Sequence, residues 1–102
     1  MGLLNQSTSK RRWNADLGFI ELSRKNIVEI YRGKCIRCRK PTQVVHEIEP
    51  RSLRPKDWWS EDNMVLLCVD CHEWAHSLGT KNSREELKQL QEQRLREYAN
   101  TQ

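Results

Sequence analysis

The chain has 102 residues, 36% of them hydrophobic, and its mean hydropathy is −0.89. So short and polar a chain cannot bury a generous core, which excludes a large multidomain enzyme and predicts one small domain held by something besides apolar burial. Structural zinc is the usual solution, because its binding free energy is available to the folded chain and not to the unfolded one. No apolar run approaches the ~20 residues that span a bilayer, and the N-terminus lacks the apolar region of a signal peptide, so a cytoplasmic protein with no membrane partner is expected.

Charge is uneven. Lys and Arg number 18 against 14 Asp and Glu, a net of +4, but residues 1 to 40 carry +7 and residues 41 to 102 carry −3. A basic N-terminal half suits a polyanion such as DNA, although a solvated surface would give the same imbalance.

In chain order, residues 1–16 are polar, carry Lys10, Arg11 and Arg12, and read as a flexible basic arm. Ser23 is placed to cap a helix from Arg24 to Tyr31 that turns Ile27, Ile30 and Tyr31 to one side and ends at Gly33. Cys35 to Pro41 reads as a zinc knuckle. Thr42 to Ile48, rich in β-branched residues, is a predicted strand, and Pro50 to Asn63, with two prolines and the Trp58-Trp59 pair, a long loop. Met64 to Leu67 is a second strand and Val69 to Leu78 a helix closed by Gly79. Ser83 and Glu86 have capping-box spacing at the start of a helix to about Ala99, with Leu87, Leu90, Leu95 and Tyr98 on a narrow apolar stripe.

Two Cys-x-x-Cys pairs, Cys35/Cys38 and Cys68/Cys71, match a closed tetrahedral zinc site, since this spacing lets adjacent sulfurs reach one ion without strain. In a reducing cytosol such pairs read as metal ligands rather than disulfides. The 29 residues between Cys38 and Cys68 exceed a simple ribbon, so an inserted functional segment is expected to hang from the clamp. His72 and His76 are an i, i+4 pair on one face of the predicted helix, and His46, at the end of the first strand, is placed to complete a three-imidazole site.

The order Cys35-x-x-Cys38, His46-Glu47-Ile48-Glu49-Pro50, Asn63, Cys68-x-x-Cys71-His72-x-x-x-His76 resembles the HNH endonucleases of the ββα-metal (His-Me finger) superfamily, in their zinc-clamped branch. The resemblance covers about residues 33 to 78. It implies an α+β fold with a small zinc-stabilised ββα-metal domain, placed here at 17–80; the flanking N-terminal helix and the C-terminal helix at 81–102 are read from the residues and are not covered by the motif. It implies Zn²⁺ on the four cysteines and one divalent ion, Mg²⁺, Mn²⁺, Ni²⁺ or Zn²⁺, on His46, His72 and His76. The catalytic set is then Glu47, His46, Asn63 and His72. Asn63 matches the residue that holds the loop and orients the base.

One departure matters. Glu47 occupies the place where the family has its histidine base. Either His46 binds the ion and Glu47 is the base, the reading favoured by the fixed distance to Pro50, or the strand is shifted, with His46 as base and Glu47 or Glu49 as ligand.

The activity implied is DNA phosphodiester hydrolysis. Arg51 is a phosphate clamp in this reading, and Arg37, Arg39 and Lys40 join Lys10, Arg11 and Arg12 against the DNA backbone. Trp58 and Trp59 are expected to cover the apolar side of the clamp, with stacking on DNA as the alternative, and Trp74 is assigned to the core. The resemblance also suggests a phage or mobile-element setting in a bacterial cell, with packaging or other DNA-processing proteins as partners and a monomer or homodimer as the assembly. The rival from another class is a non-catalytic zinc module that binds DNA or protein and keeps only the scaffold.

Overall fold

The computed structural model describes residues 17–100, so the basic arm with Lys10, Arg11 and Arg12 lies outside the described residues. The fold is small α+β: three helices and a two-stranded antiparallel sheet, beside a cluster of four cysteines. Helix α1 occupies 17–30, strand β1 Val45–Glu47, a short 3-10 turn Glu61–Asn63, β2 Met64–Leu66, α2 Val69–Leu78 and α3 Thr80–Asn100. No helix among the described residues is long and apolar enough to cross a membrane.

Helix α1 extends further back than its apolar period suggested. Ser23 sits inside it, half-buried, and caps nothing. Its C-terminus closes as a Schellman motif, with Gly33 N–H donating to Val28 O at 2.8 Å and Arg32 N–H to Glu29 O at 3.1 Å. The left-handed residue at that stop is Arg32 (φ 58), with Gly33 (φ 65) following in the same region. Two successive positive φ angles reverse the chain into the cysteine knuckle.

The knuckle is a tight loop pinned at its base. Cys35 N–H donates to Lys40 O at 2.9 Å and Arg39 N–H to Cys35 O at 3.0 Å, with Lys34 and Pro41 bridged beneath. Arg39 adopts φ 67, a conformation that costs a non-glycine residue about 1 kcal/mol or more. Binding at the neighbouring Cys35 and Cys38 sulfurs can offset it. Ile36 N–H donates to Leu66 O at 3.0 Å, which fastens the knuckle to the end of β2.

Strands β1 and β2 pair in the register Val45 with Leu66, His46 with Val65 and Glu47 with Met64. Pairing beyond the strands is loose: Leu67 N–H reaches Val44 O at 3.1 Å, and the Thr42 hydroxyl donates to Leu67 O at 3.1 Å. The core gathers Ile27 from α1 and Tyr31 just past its end, Ile36, Ile48, the run Met64 to Leu67, Ala75 from α2 and Leu87 from α3. Trp74, Leu90 and Tyr98 pack partly buried against it.

Helix α3 follows α2 directly across Gly79 (φ 81). It begins at Thr80, so Ser83 and Glu86 lie within it and form no capping box; the Ser83 hydroxyl donates back to Thr80 O at 3.2 Å. Leu95 is 41% exposed while Arg94 is buried at 7%, so the inward face runs through Leu87, Leu90, Arg94 and Tyr98. A guanidinium takes a place reserved for an apolar side chain because Ile36 O is there to accept its Nε at 2.8 Å. Arg94 also pairs with Glu97 at 3.0 Å, and Glu97 pairs with Arg39 at 2.8 Å, so α3 grips the knuckle through polar contacts. Trp58 and Trp59 stack edge to face at 5.6 Å, half-buried, and belong neither to the core nor to its packed margin.

Leu87→Ala should lower unfolding free energy by roughly 2–5 kcal/mol, because it empties the one fully buried apolar position of α3. Urea unfolding checks this; a loss under 1 kcal/mol would mean that α3 is only loosely docked.

Candidate metal centres and their surroundings

The two cysteine pairs converge. Sγ atoms of Cys35, Cys38, Cys68 and Cys71 all lie within 4.8 Å of one another, and Cys38 and Cys68 approach to 3.4 Å. Four sulfurs about 2.3 Å from one tetrahedral ion stand about 3.8 Å apart, so the cluster is close to the size zinc needs. Cys68 is the N-cap of α2 and its sulfur accepts the Cys71 N–H at 3.4 Å. Arg37 Nη1 lies 3.6 Å from Cys71 Sγ, with the guanidinium carbon 3.9 Å above the Trp74 ring.

The donor chemistry fits a cation as well. Burial pushes the Cys71 thiol up to about 12. At Cys35, burial works in the same direction, but backbone N–H groups of Cys38, Cys68 and Arg37 bring it down to about 7. Four thiolates packed this closely would repel one another without positive charge between them. These four cysteines can hold a metal ion such as zinc.

The second cluster lies on the neighbouring part of α2. His72 and His76 come from that helix and His46 from β1, with ring centroids 4.5 Å apart for His72–His76, 4.9 Å for His46–His72 and 5.6 Å for His46–His76. One nitrogen from each ring lies within 4.8 Å of the other two. Burial, then the neighbouring His72 and His76, hold His46 down at about 4, and burial followed by His76 lowers His72. Neutral rings keep a free lone pair, which is the form that binds metals.

Glu47 does not join the imidazoles. It forms a two-point ion pair with Arg51, Nε to Oε1 and Nη2 to Oε2, both 3.2 Å, and the Arg51 guanidinium lies over Trp58 with its carbon 3.6 Å from the ring centroid. Successive strand residues alternate between the two faces of a sheet, so Glu47 stands beside the His46 site and is not one of its ligands. Glu49 is also engaged elsewhere, with Lys88 of α3 at 3.2 Å.

Asn63 is 1% exposed, and its side chain is saturated. Its Oδ1 accepts Glu49 N–H at 2.8 Å, while Nδ2 donates to Glu49 O at 3.1 Å and Trp58 O at 3.0 Å. Ile48 N–H reaches Asn63 O at 2.8 Å. The amide therefore ties the exit of β1 to the far end of the loop. Arg54 closes the loop from outside, pairing with Asp57 at 2.8 Å and Asp62 at 3.2 Å.

Among the basic residues assigned to DNA, Arg37 covers sulfur and indole, Arg39 is paired with Glu97, and Lys40 is exposed. Two participants went unnoticed in the sequence. Arg94 looked like a surface helix charge. Glu73, exposed on α2 and acting electrostatically on His72, completes a His-Glu-x-x-His spacing that was there to be read.

Compared with models of protein families, with curated proteins and with solved structures, the chain matches none.

Two outcomes follow from these centres. Purified protein should carry about one zinc per chain by elemental analysis, and a strong chelator should collapse its circular-dichroism signal and thermal transition together. Retention of both after zinc loss would reduce the cysteines to packing residues. Asn63→Ala should cost roughly 2–4 kcal/mol, because it strands Glu49 N–H and two carbonyls; urea unfolding measures the loss.

Proposed function

We propose that the chain is an HNH-type endonuclease of the ββα-metal superfamily, hydrolysing DNA phosphodiester bonds with one divalent ion. The observation that carries this reading is the convergence of His46 from β1 with His72 and His76 from α2, beside a cysteine cluster formed partly by the same helix. A module that needed only a zinc scaffold would have no use for three converging imidazoles. Antiparallel β1 and β2 followed by α2 supply the strand, strand and helix order that the resemblance implies.

His46, His72 and His76 would hold the ion, and nitrogens within 4.8 Å of one another suit it, since ligands about 2.1 Å from a tetrahedral ion stand about 3.4 Å apart. Mg²⁺, Mn²⁺, Ni²⁺ and Zn²⁺ are the candidates, and such an ion, when bound, neutralises charge on the phosphate and on the leaving oxygen. Glu47 accepts the proton of an attacking water. The water oxygen forms a bond to phosphorus, the bond from phosphorus to the 3′ oxygen breaks, and that oxygen takes a proton from solvent. Products carry 5′ phosphate and 3′ hydroxyl ends. Asn63 holds the turn after Glu47 in place, and basic residues around the knuckle take up the backbone without reading sequence.

Supercoiled plasmid incubated with zinc-loaded protein and Mg²⁺ or Mn²⁺ should be nicked. His72→Ala at equal zinc content should abolish nicking, Glu47→Gln should slow it by roughly 10² to 10⁴-fold, and Glu73→Gln should leave it within a few-fold. Wild type that nicks no faster than His72→Ala would leave the non-catalytic DNA- or protein-binding module as the surviving reading.

A further inference from the structure

Resting on the nuclease reading, we infer that Arg51 is a phosphate-operated latch on Glu47: the guanidinium holds the carboxylate until a DNA backbone phosphate takes its place. The ion pair is built, not incidental. Both oxygens of Glu47 are engaged by Arg51 at 3.2 Å, which leaves one lone pair on each and holds the carboxylate toward the guanidinium, so it turns to a water fully only when a contact is given up. A turn fixes the spacing, with Pro50 O accepting Leu53 N–H at 2.9 Å and Arg54 N–H at 3.2 Å. Trp58 gives the guanidinium a flat surface at 3.6 Å, and Asn63 in turn holds the Trp58 carbonyl. The latch therefore rests on the same amide that positions the residues after Glu47.

Exposure sets the order of events. The Arg51 side chain is 57% exposed and that of Glu47 21%, so the cation is the outer partner. A guanidinium carries five N–H donors, and Glu47 uses two of them. The remaining edge, along Nη1 and the second Nη2 hydrogen, is the geometry that grips two phosphate oxygens at once. An incoming duplex meets Arg51 first, on the side turned away from Trp58. Exposed ion pairs are individually weak, so a polyanion that brings several phosphates can draw the guanidinium off one carboxylate. Charge is conserved in the exchange. Arg51 trades one anion for another, and the carboxylate is left free only when substrate is seated. Water at the site meets a competent base in the presence of DNA and an occupied one in its absence.

A contrary geometry makes the opposite forecast: Glu47 could serve only to aim Arg51, which would keep both contacts while binding phosphate through its free edge. The sign of one substitution separates the two. Affinity for a short fluorescein-labelled duplex is measured by anisotropy with zinc-loaded protein and no added second cation. Glu47→Gln should bind several-fold tighter, because Arg51 is released, whereas an aiming role makes it bind more weakly and overturns the latch. Arg51→Ala should weaken binding and reduce the slope of log affinity against log salt by about one. On bis(p-nitrophenyl) phosphate, which brings no neighbouring phosphates, Arg51→Ala should be faster than wild type, while on plasmid it should be slower. Equal slowing on both substrates would show that Arg51 supports Glu47 and does not restrain it. Thermal melting of each variant excludes unfolding as the cause. Wild type that cleaves neither substrate defeats the nuclease reading, and the Glu47→Gln affinity shift still decides the latch.

Discussion

Four sulfur atoms held at one point determine where the rest of this chain lies. Cys35 and Cys38 come from a knuckle with no regular secondary structure, and Cys68 and Cys71 from the first turn of α2. A zinc ion bound there would contribute roughly 10–16 kcal/mol of folding free energy, comparable to the whole net stability of an ordinary domain. Apolar burial alone would be hard pressed. Its core is one thin layer between α1, two three-residue strands and the ends of α2 and α3.

The cysteine cluster also determines the rotation of α2. Cys71 and Ala75 turn inward, buried at 2% and 1%, and residues 72 and 76 lie along the next stripe of the helix. With Cys71 held, the imidazoles of that stripe have little freedom to swing. The other half of the second site comes from β1, whose register against β2 places His46 opposite Val65, two residues before Leu67 and the start of the cysteine turn. His72 follows Cys71 directly, His76 lies about one turn further along the same helix, and His46 is paired with the strand that leads into Cys68. Two donor clusters share one helix, so loss of the cysteine cluster would disperse the imidazoles.

The sequence made the donors and their grouping legible because ligand spacing is local: Cys-x-x-Cys and His-x-x-x-His each name a geometry within one turn. Gly79 as the stop of α2 was legible for the same reason. What could not be read depended on partners distant in sequence. Ser23 and Ser83 have capping chemistry, yet both sit inside helices that begin several residues earlier. Leu95 had the better hydropathy, but Ile36 O, presented by the knuckle, rewards Arg94 at the inward position. Trp58 and Trp59 lie outside the core because the loop that carries them is fastened by Asn63 and Arg54, leaving one indole face to Arg51. Arg51 and Glu47 were each singled out, but as separate functional groups; a turn at Pro50 makes them one.

That loop shows how stability and responsiveness are divided. A long insertion between two fixed ends adds little closure entropy beyond that of a short one, so the clamp tolerates it. Its fastenings are polar: a buried amide at its base, and exposed ion pairs through Arg54 and Arg51 further out. Buried apolar contacts resist change because any shift opens a void, whereas an exposed ion pair exchanges partners at little cost. Asn63 is buried and saturated, so it stays. Arg51 is exposed and bound on one edge, so it can move. The loop's base is held by a buried amide, whereas Arg51 is held only by a carboxylate and the face of a ring.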